Sequence, residues 1–382
     1  MQTDFLILGG GCGGVDTAIE LRKQKPDADI TLVSSSEYLI YRPWLIYLPA
    51  QHRRLEQLQV SLKQVSETYR LRLIIDTVKH LEPEQHKVTL DSAESITYRF
   101  VVVATGAPAD KEYIPGAASS AFFPCDVAEA LRFRDQFLAL SSGVVTVILA
   151  GERPGPGMEY AGWLAATVYK QGLLKQIQIQ VVDHQDCMKE QLGPQAMERL
   201  DRFFKQKGAR LISGQAVKML SPDGVELENG ESWSSALTAV VGPLRGVDLG
   251  MKPPIVDEQN CVQVQTTFQS PVQSDLFAVG DSVRLPEGKE VLKVWMMTRR
   301  QAIIVAQNLA AHADGNVLQS LDVDKIHKSP ASRIRVLDVG GWAIFVLNKR
   351  VIGTGRWPLW VRAKIDRSYL KSVSSAPVSE RA

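Results

Sequence analysis

Cysteine is scarce in this chain, and its spacing suits no metal or dithiol chemistry. Cys12, Cys125, Cys187 and Cys261 are scattered over 382 residues. With no C-x-x-C or C-x-x-x-x-C, the sequence encodes neither a cysteine zinc site, a dithiol relay nor a disulfide framework. A reducing, cytoplasmic compartment is therefore expected. An excess of one charge is also missing. Lys and Arg number 44 against 42 Asp and Glu, a net charge of +2, so no nucleic-acid partner is expected. No apolar run reaches the ~18 residues of a membrane span. The first residues lead into a strand pattern rather than the basic n-region and cleavage site of a secretory signal. Composition is that of an ordinary globular protein, 45% hydrophobic and 23% charged, and the length suits two or three domains.

Glycine is plentiful at the start. Asp4 to Leu8 is an apolar run of strand length, followed by Gly9-Gly10-Gly11-Cys12-Gly13-Gly14 and the helical pattern Val15, Ala18, Ile19, Leu21. Gly9, Gly11 and Gly14 fit G-x-G-x-x-G. The first glycine permits the turn, the second lets a pyrophosphate approach the backbone, and the third lets helix and strand touch. A second strand, Asp29–Val33, gives a βαβ opening. The acid that binds the adenosine ribose belongs about 20 residues past the glycines. Ser34 stands there instead, leaving the contact open between Ser34, Ser35 and Glu37. Leu71–Val78, Lys87–Leu90 and Phe100–Val103 read as further strands. Tyr38–Leu48 is aromatic and apolar around Arg42-Pro43, and reads either as the lining of a flat cofactor or as core.

Two later stretches repeat the strand-into-glycine logic: Phe100-Val101-Val102-Val103-Ala104-Thr105-Gly106 and Asp275-Leu276-Phe277-Ala278-Val279-Gly280-Asp281. With the opening turn, these three elements in this order resemble the FAD-dependent pyridine-nucleotide-disulfide oxidoreductase superfamily over nearly the whole chain. The resemblance implies an α/β protein with two Rossmann-like domains, the second inserted into the first, and a C-terminal module. The FAD domain would comprise 1–115 and 252–325, the NAD(P)H-like domain 116–251, and the tail module 326–382. It implies FAD contacts at Gly9, Gly11, Gly13, Gly14, Ser34, Ser35, Arg42, Pro43, Val78, Ala104, Thr105, Gly106, Gly280, Asp281 and Met296. Val291–Leu309 would be the helix whose amino end faces the flavin, with Lys293 adding positive charge.

The second nucleotide unit departs from the pattern. Val144–Leu149 leads into Ala150-Gly151-Glu152-Arg153-Pro154-Gly155-Pro156-Gly157. Counting back from Gly157, the earlier glycine positions hold Pro154 and Glu152. Proline has no N–H to offer a phosphate, and Glu152 repels one unless Arg153 compensates. The next strand, Gln178–Val182, ends in Asp183, which suits the 2′-OH of NADH. Gly151, Gly157, Asp183 and Gly242 are the expected NAD(P)H residues. A Rossmann-like domain that has lost its nucleotide is the competing reading.

The tail holds short strands at Arg335–Val339, Ala343–Leu347 and Val351–Ile352, then an aromatic-basic run from Gly355 to Lys371. Trp357, Trp360, Val361, Ile365 and Tyr369 recur near helical spacing. From Lys349 to Lys371 seven Lys and Arg stand against Asp366 alone. That is the composition of an interfacial membrane helix on the cytoplasmic face, with packing on its own domain or on a homodimer partner as the alternatives. Residues from Ser372 on are expected to fray. The hairpin around Gly340-Gly341 and this helix are similar to type II NADH dehydrogenases. The resemblance implies NADH as donor, FAD as carrier and a quinone as acceptor, with Glu159 as proton relay or nicotinamide-orienting group and Gln301 on the quinone side. Of the Ala-Gln…Gln signature those enzymes carry on this helix, only Gln301 is present. Sulfide:quinone oxidoreductase shares the architecture and is the alternative. Cys125 resembles one of its cysteine positions, but the other two, near Pro154–Gly155 and in the tail, hold no cysteine. A third reading is an FAD-bound scaffold with little turnover.

Overall fold

The computed structural model describes residues 1–329 and 333–374. The opening apolar run is β1 (Gln2–Leu8), with Leu6, Ile7 and Leu8 fully buried, each worth roughly 1.5–3 kcal/mol relative to exposure. After α1 (Cys12–Gln24) comes β2 (Ile30–Ser34), parallel to β1 with Leu8 opposite Val33. β3 (Arg72–Ile75), β4 (Val78–Glu82), β5 (Lys87–Leu90) and β6 (Ser95–Val103) complete a sheet ordered β3-β2-β1-β6-β5-β4. The one strand expected over Leu71–Val78 is two. The chain breaks at Asp76, whose carboxylate accepts the Thr77 N–H at 2.6 Å, and Val78 opens the strand at the opposite edge.

β7 (Gly143–Leu149), α2 (Gly155–Lys170), β8 (Ile177–His184), α3 (Cys187–Leu192), β9 (Arg210–Gln215) and β10 (Leu237–Val241) build a second, all-parallel sheet ordered β9-β8-β7-β10. The central strands β7 and β8 are mostly buried, as strands covered on both faces are. The chain then returns to the first sheet. β11 (Leu276–Ala278) pairs parallel with β6, Ala278 opposite Val103, so the second Rossmann-like fold is inserted into the first. α4 (Trp295–Ala313) packs along α1. It starts later than the expected Val291 because Val294 is extended, at φ −128° and ψ 150°.

The tail forms an antiparallel meander, β12 (Ile334–Val339), β13 (Trp342–Leu347) and β14 (Arg350–Gly355), and then α5 (Trp357–Ser374). Gly340 and Gly341, at φ +67° and +84°, make the two-residue turn that left-handed backbone requires. The meander lies on α2 so closely that a Cβ at Gly162 would overlap Val339. The expected apolar stripe of α5 divides. Trp357, Trp360, Val361 and Ile365 face outward, whereas Tyr369 is buried against Tyr41 and Trp295. Fraying from Ser372 is not what the structure has, since Val373 is buried within the helix. The remainder of that expectation, residues 375–382, lies outside the described residues. Among the described residues no helix is long and apolar enough to cross a membrane.

Candidate active site

The opening turn is shaped around backbone contacts. Gly9 sits at φ +125°, and a Cβ there would overlap the Ala104 carbonyl, while one at Gly14 would overlap the Gly9 carbonyl. A Cβ at Gly11 would meet nothing within 4 Å. Gly11 is also the N-cap of α1 and makes no side-chain cap bond, so the first-turn N–H groups point into that open space. Gly13 faces Thr298 and Val279, and Gly106, at φ +72°, borders open space beside Ala104 and Thr105. A cradle of free N–H groups beside a position that only glycine leaves clear fits a dinucleotide pyrophosphate. Of the ribose candidates, Ser34 is buried and occupied, its hydroxyl donating to the Ser36 carbonyl at 2.8 Å. Ser35 and Glu37 are exposed.

The far side of this cradle is the Gly280-Asp281 turn. The Gly280 N–H donates to Gln301 Oε1 at 2.8 Å, and Gln301 is buried, so Gln301 holds the turn. Lys293 Nζ donates to the Asp281 carbonyl at 3.3 Å. Asp281 Oδ2 pairs with Arg153 Nη1 at 2.7 Å. Burial pushes the Cys125 thiol up, while Arg153 and Arg42 pull it back. Arg42 is exposed, Pro43 is half-buried, and Met296 lies 55% exposed at the head of α4. All four cysteines are free.

The second glycine turn is built differently. A Cβ at Gly151 would press on the Pro243 ring, beside Gly242, and Gly157 serves contact between α2 and the strands at Leu149 and Val241. Glu152 turns outward, 3.9 Å from Arg284. Asp183 is fully buried and serves its own domain. Its carboxylate accepts the Met188 N–H at 2.7 Å and the Lys189 N–H at 3.1 Å, capping α3, and a thiol hydrogen bond from Cys187. Both Asp183 oxygens are thus already hydrogen-bonded within the domain, unlike the arrangement its position at the end of a strand suggests.

Glu159 lies on the buried face of α2, paired with Arg362 of α5, and its Oε1 also accepts the Asp338 N–H at 2.7 Å. Burial pushes the Glu159 carboxyl up and Arg362 pulls it down. Around the pair, Tyr47 donates to Asp338 at 2.8 Å, and Tyr41 and Trp44 donate to Asp366 at 2.7 and 2.9 Å. The residues sequence reading passed over are Arg362, Asp338 and Asp366. Helical spacing does set Arg362 and Asp366 one turn apart, but their charge reads as a solvated face.

Residues 3–307 match the pyridine nucleotide-disulphide oxidoreductase family. The chain belongs to that family. It is an α/β oxidoreductase of the flavin-dependent type. Sulfide-quinone reductase of Aquifex aeolicus is 25% identical over 410 aligned positions, covering 99% of this chain and 93% of that one. The crystal structure of the sulfide:quinone oxidoreductase from that bacterium superposes with a TM-score of 0.83 at 22% identity, again over 99% and 93%. NDH2 from Plasmodium falciparum, solved in complex with NADH, gives a TM-score of 0.76 at 13% identity over 98% of both chains. These structural likenesses speak for the fold, and the site's own residues must carry the chemistry.

Proposed function

We propose that this family member binds FAD across the opening glycine turn and the Gly280-Asp281 turn, and passes electrons to a quinone-class acceptor at a membrane surface. Bound there, FAD supplies the electron transfer. The chain's residues bind the pyrophosphate, orient the ring system and keep water out. The observation that carries the acceptor is the open face of α5. Trp357, Trp360, Val361 and Ile365 are 42–67% exposed, with Met296 beside them at the head of α4. Lys364 and Arg367 border them, a pairing of apolar and basic groups suited to a lipid interface. An open groove of about 420 Å³ between the head of α4 and the second half of α5, lined by Trp295, Met296, Ile365 and Tyr369, offers a lipophilic molecule an entry. On this reading the chain is a peripheral protein, and its scattered free cysteines suit the cytoplasmic face.

NADH is the donor that the family suggests, entering at the second fold. A second reading has a specific observation behind it. With Asp183 sealed and Pro154 and Pro156 in the turn, a small reductant acting directly on the flavin needs none of the missing dinucleotide contacts, in keeping with the name of the Aquifex aeolicus relative. Anaerobic rapid mixing separates the two. Bleaching of the flavin by NADH supports the first, and bleaching only by sulfide or another small reductant supports the second. A purified chain that retains no FAD would overturn both.

A further inference from the structure

The two glycine turns of this molecule are tied together by charge. Arg153 belongs to the turn after β7, in the inserted fold, yet its guanidinium leaves that fold and meets Asp281, 128 residues on, at 2.7 Å. The side chains are 29% and 19% exposed, so the pair is shielded from bulk water far better than a surface bridge. Arg153 meets the Asp281 carboxylate itself, while Lys293 reaches the Asp281 backbone carbonyl at 3.3 Å. Arg284 pairs with Asp257 of its own fold at 2.6 Å and lies 3.9 Å from the exposed Glu152 of the inserted fold, without touching Asp281.

We propose that Arg153 is a positioning residue for the flavin. It fixes the Asp281 carboxylate and offsets its charge, so that the site favours the reduced flavin, which carries more negative charge than the oxidised one. This rests on the FAD reading above. It also gives the altered second turn a task. The segment that no longer offers N–H groups to a second nucleotide supplies a cation to the first.

The test is the midpoint potential of the FAD-loaded chain, measured by anaerobic dye-equilibrated reduction. In R153Q the ratio of reduced-flavin to oxidised-flavin affinity should fall at least tenfold, which lowers the potential by about 30 mV for a two-electron couple. R153K should recover most of it, and R284Q, which breaks the neighbouring bridge, should leave it unchanged. An R153Q potential equal to wild type, or an equal drop in R284Q, overturns the proposal. If R153Q does not fold, R153H serves, because its charge is present only below about pH 6.5. Its potential should match wild type at low pH and drop away above neutrality, and an offset that does not change with pH overturns the proposal. Failure of the wild-type chain to hold FAD would instead strike the reading under Proposed function.

Discussion

Arg362, near the middle of the last helix, closes its guanidinium on Glu159, which lies on α2 of the inserted fold 203 residues earlier. Both are largely out of water, with side chains 19% and 6% exposed. Asp366, one turn on, receives Tyr41 and Trp44 from the first fold. One helix thereby grips both nucleotide folds through polar groups on its inner face, leaving its outer face apolar and basic.

Arg362→Met leaves Glu159 buried without its partner, and a loss of about 3–5 kcal/mol is expected. Adding Glu159→Gln should return much of it, since no uncompensated charge then remains. Denaturant unfolding of the two single variants and the double variant gives the coupling. Strictly additive losses would show that the pair is not what holds α5.

Two glycines of the opening turn should separate binding from folding. A methyl at Gly14 overlaps the Gly9 carbonyl, whereas one at Gly11 meets no protein atom within 4 Å. G14A should lower the melting temperature of the FAD-free chain. G11A should leave that temperature in place and cut FAD affinity at least tenfold, read by flavin fluorescence. Equal FAD affinity in G11A and wild type would move the pyrophosphate elsewhere.

Asp16 on α1 is buried, its Oδ2 has no hydrogen-bond partner, and burial raises its carboxyl to about 7 despite Arg299. Unfolded, it titrates near 3.9. Between those values the folded chain holds a proton that the unfolded chain has released, so stability falls as pH rises from about 4 to 7 and stays reduced above it. Asp16→Asn should flatten that part of the pH–stability curve and raise the melting temperature at pH 8. An unchanged slope would place the ionisation elsewhere.

Asp183→Ala should cost about 1–2 kcal/mol through the lost cap on α3. Any flavin reduction by NADH should keep its rate and saturation. A tenfold rise in the NADH concentration needed for half-maximal bleaching would mean that this carboxylate does face a ribose.

Trp360 and Ile365 are 67% and 43% exposed. W360S/I365S should fold with wild-type stability and sediment less with vesicles containing anionic phospholipid. Raising the salt concentration should weaken wild-type binding through Lys364 and Arg367. Equal sedimentation of variant and wild type would remove the helix from the membrane.

What the sequence determined by itself is what depends on local backbone form. The turn at Gly9–Gly14, the strands running into Ala104-Thr105-Gly106 and Gly280-Asp281, and the family they indicate are all legible, because a strand ending in a glycine turn imposes short-range rules on residue type. The break at Asp76 was less visible, since an apolar run does not mark where one strand becomes two. The partners of charged residues were decided only by the tertiary structure. Asp183 stands where a ribose acid belongs and caps a helix instead. Arg153 reads as compensation for Glu152 and reaches Asp281 in the other fold. Arg362 and Asp366 read as a solvated face and are buried anchors. A charge is stabilised by whatever lies within a few ångströms of it, and for Arg153, Arg362 and Asp366 those neighbours come from 128 to 325 residues away, a distance along the chain that no spacing rule spans.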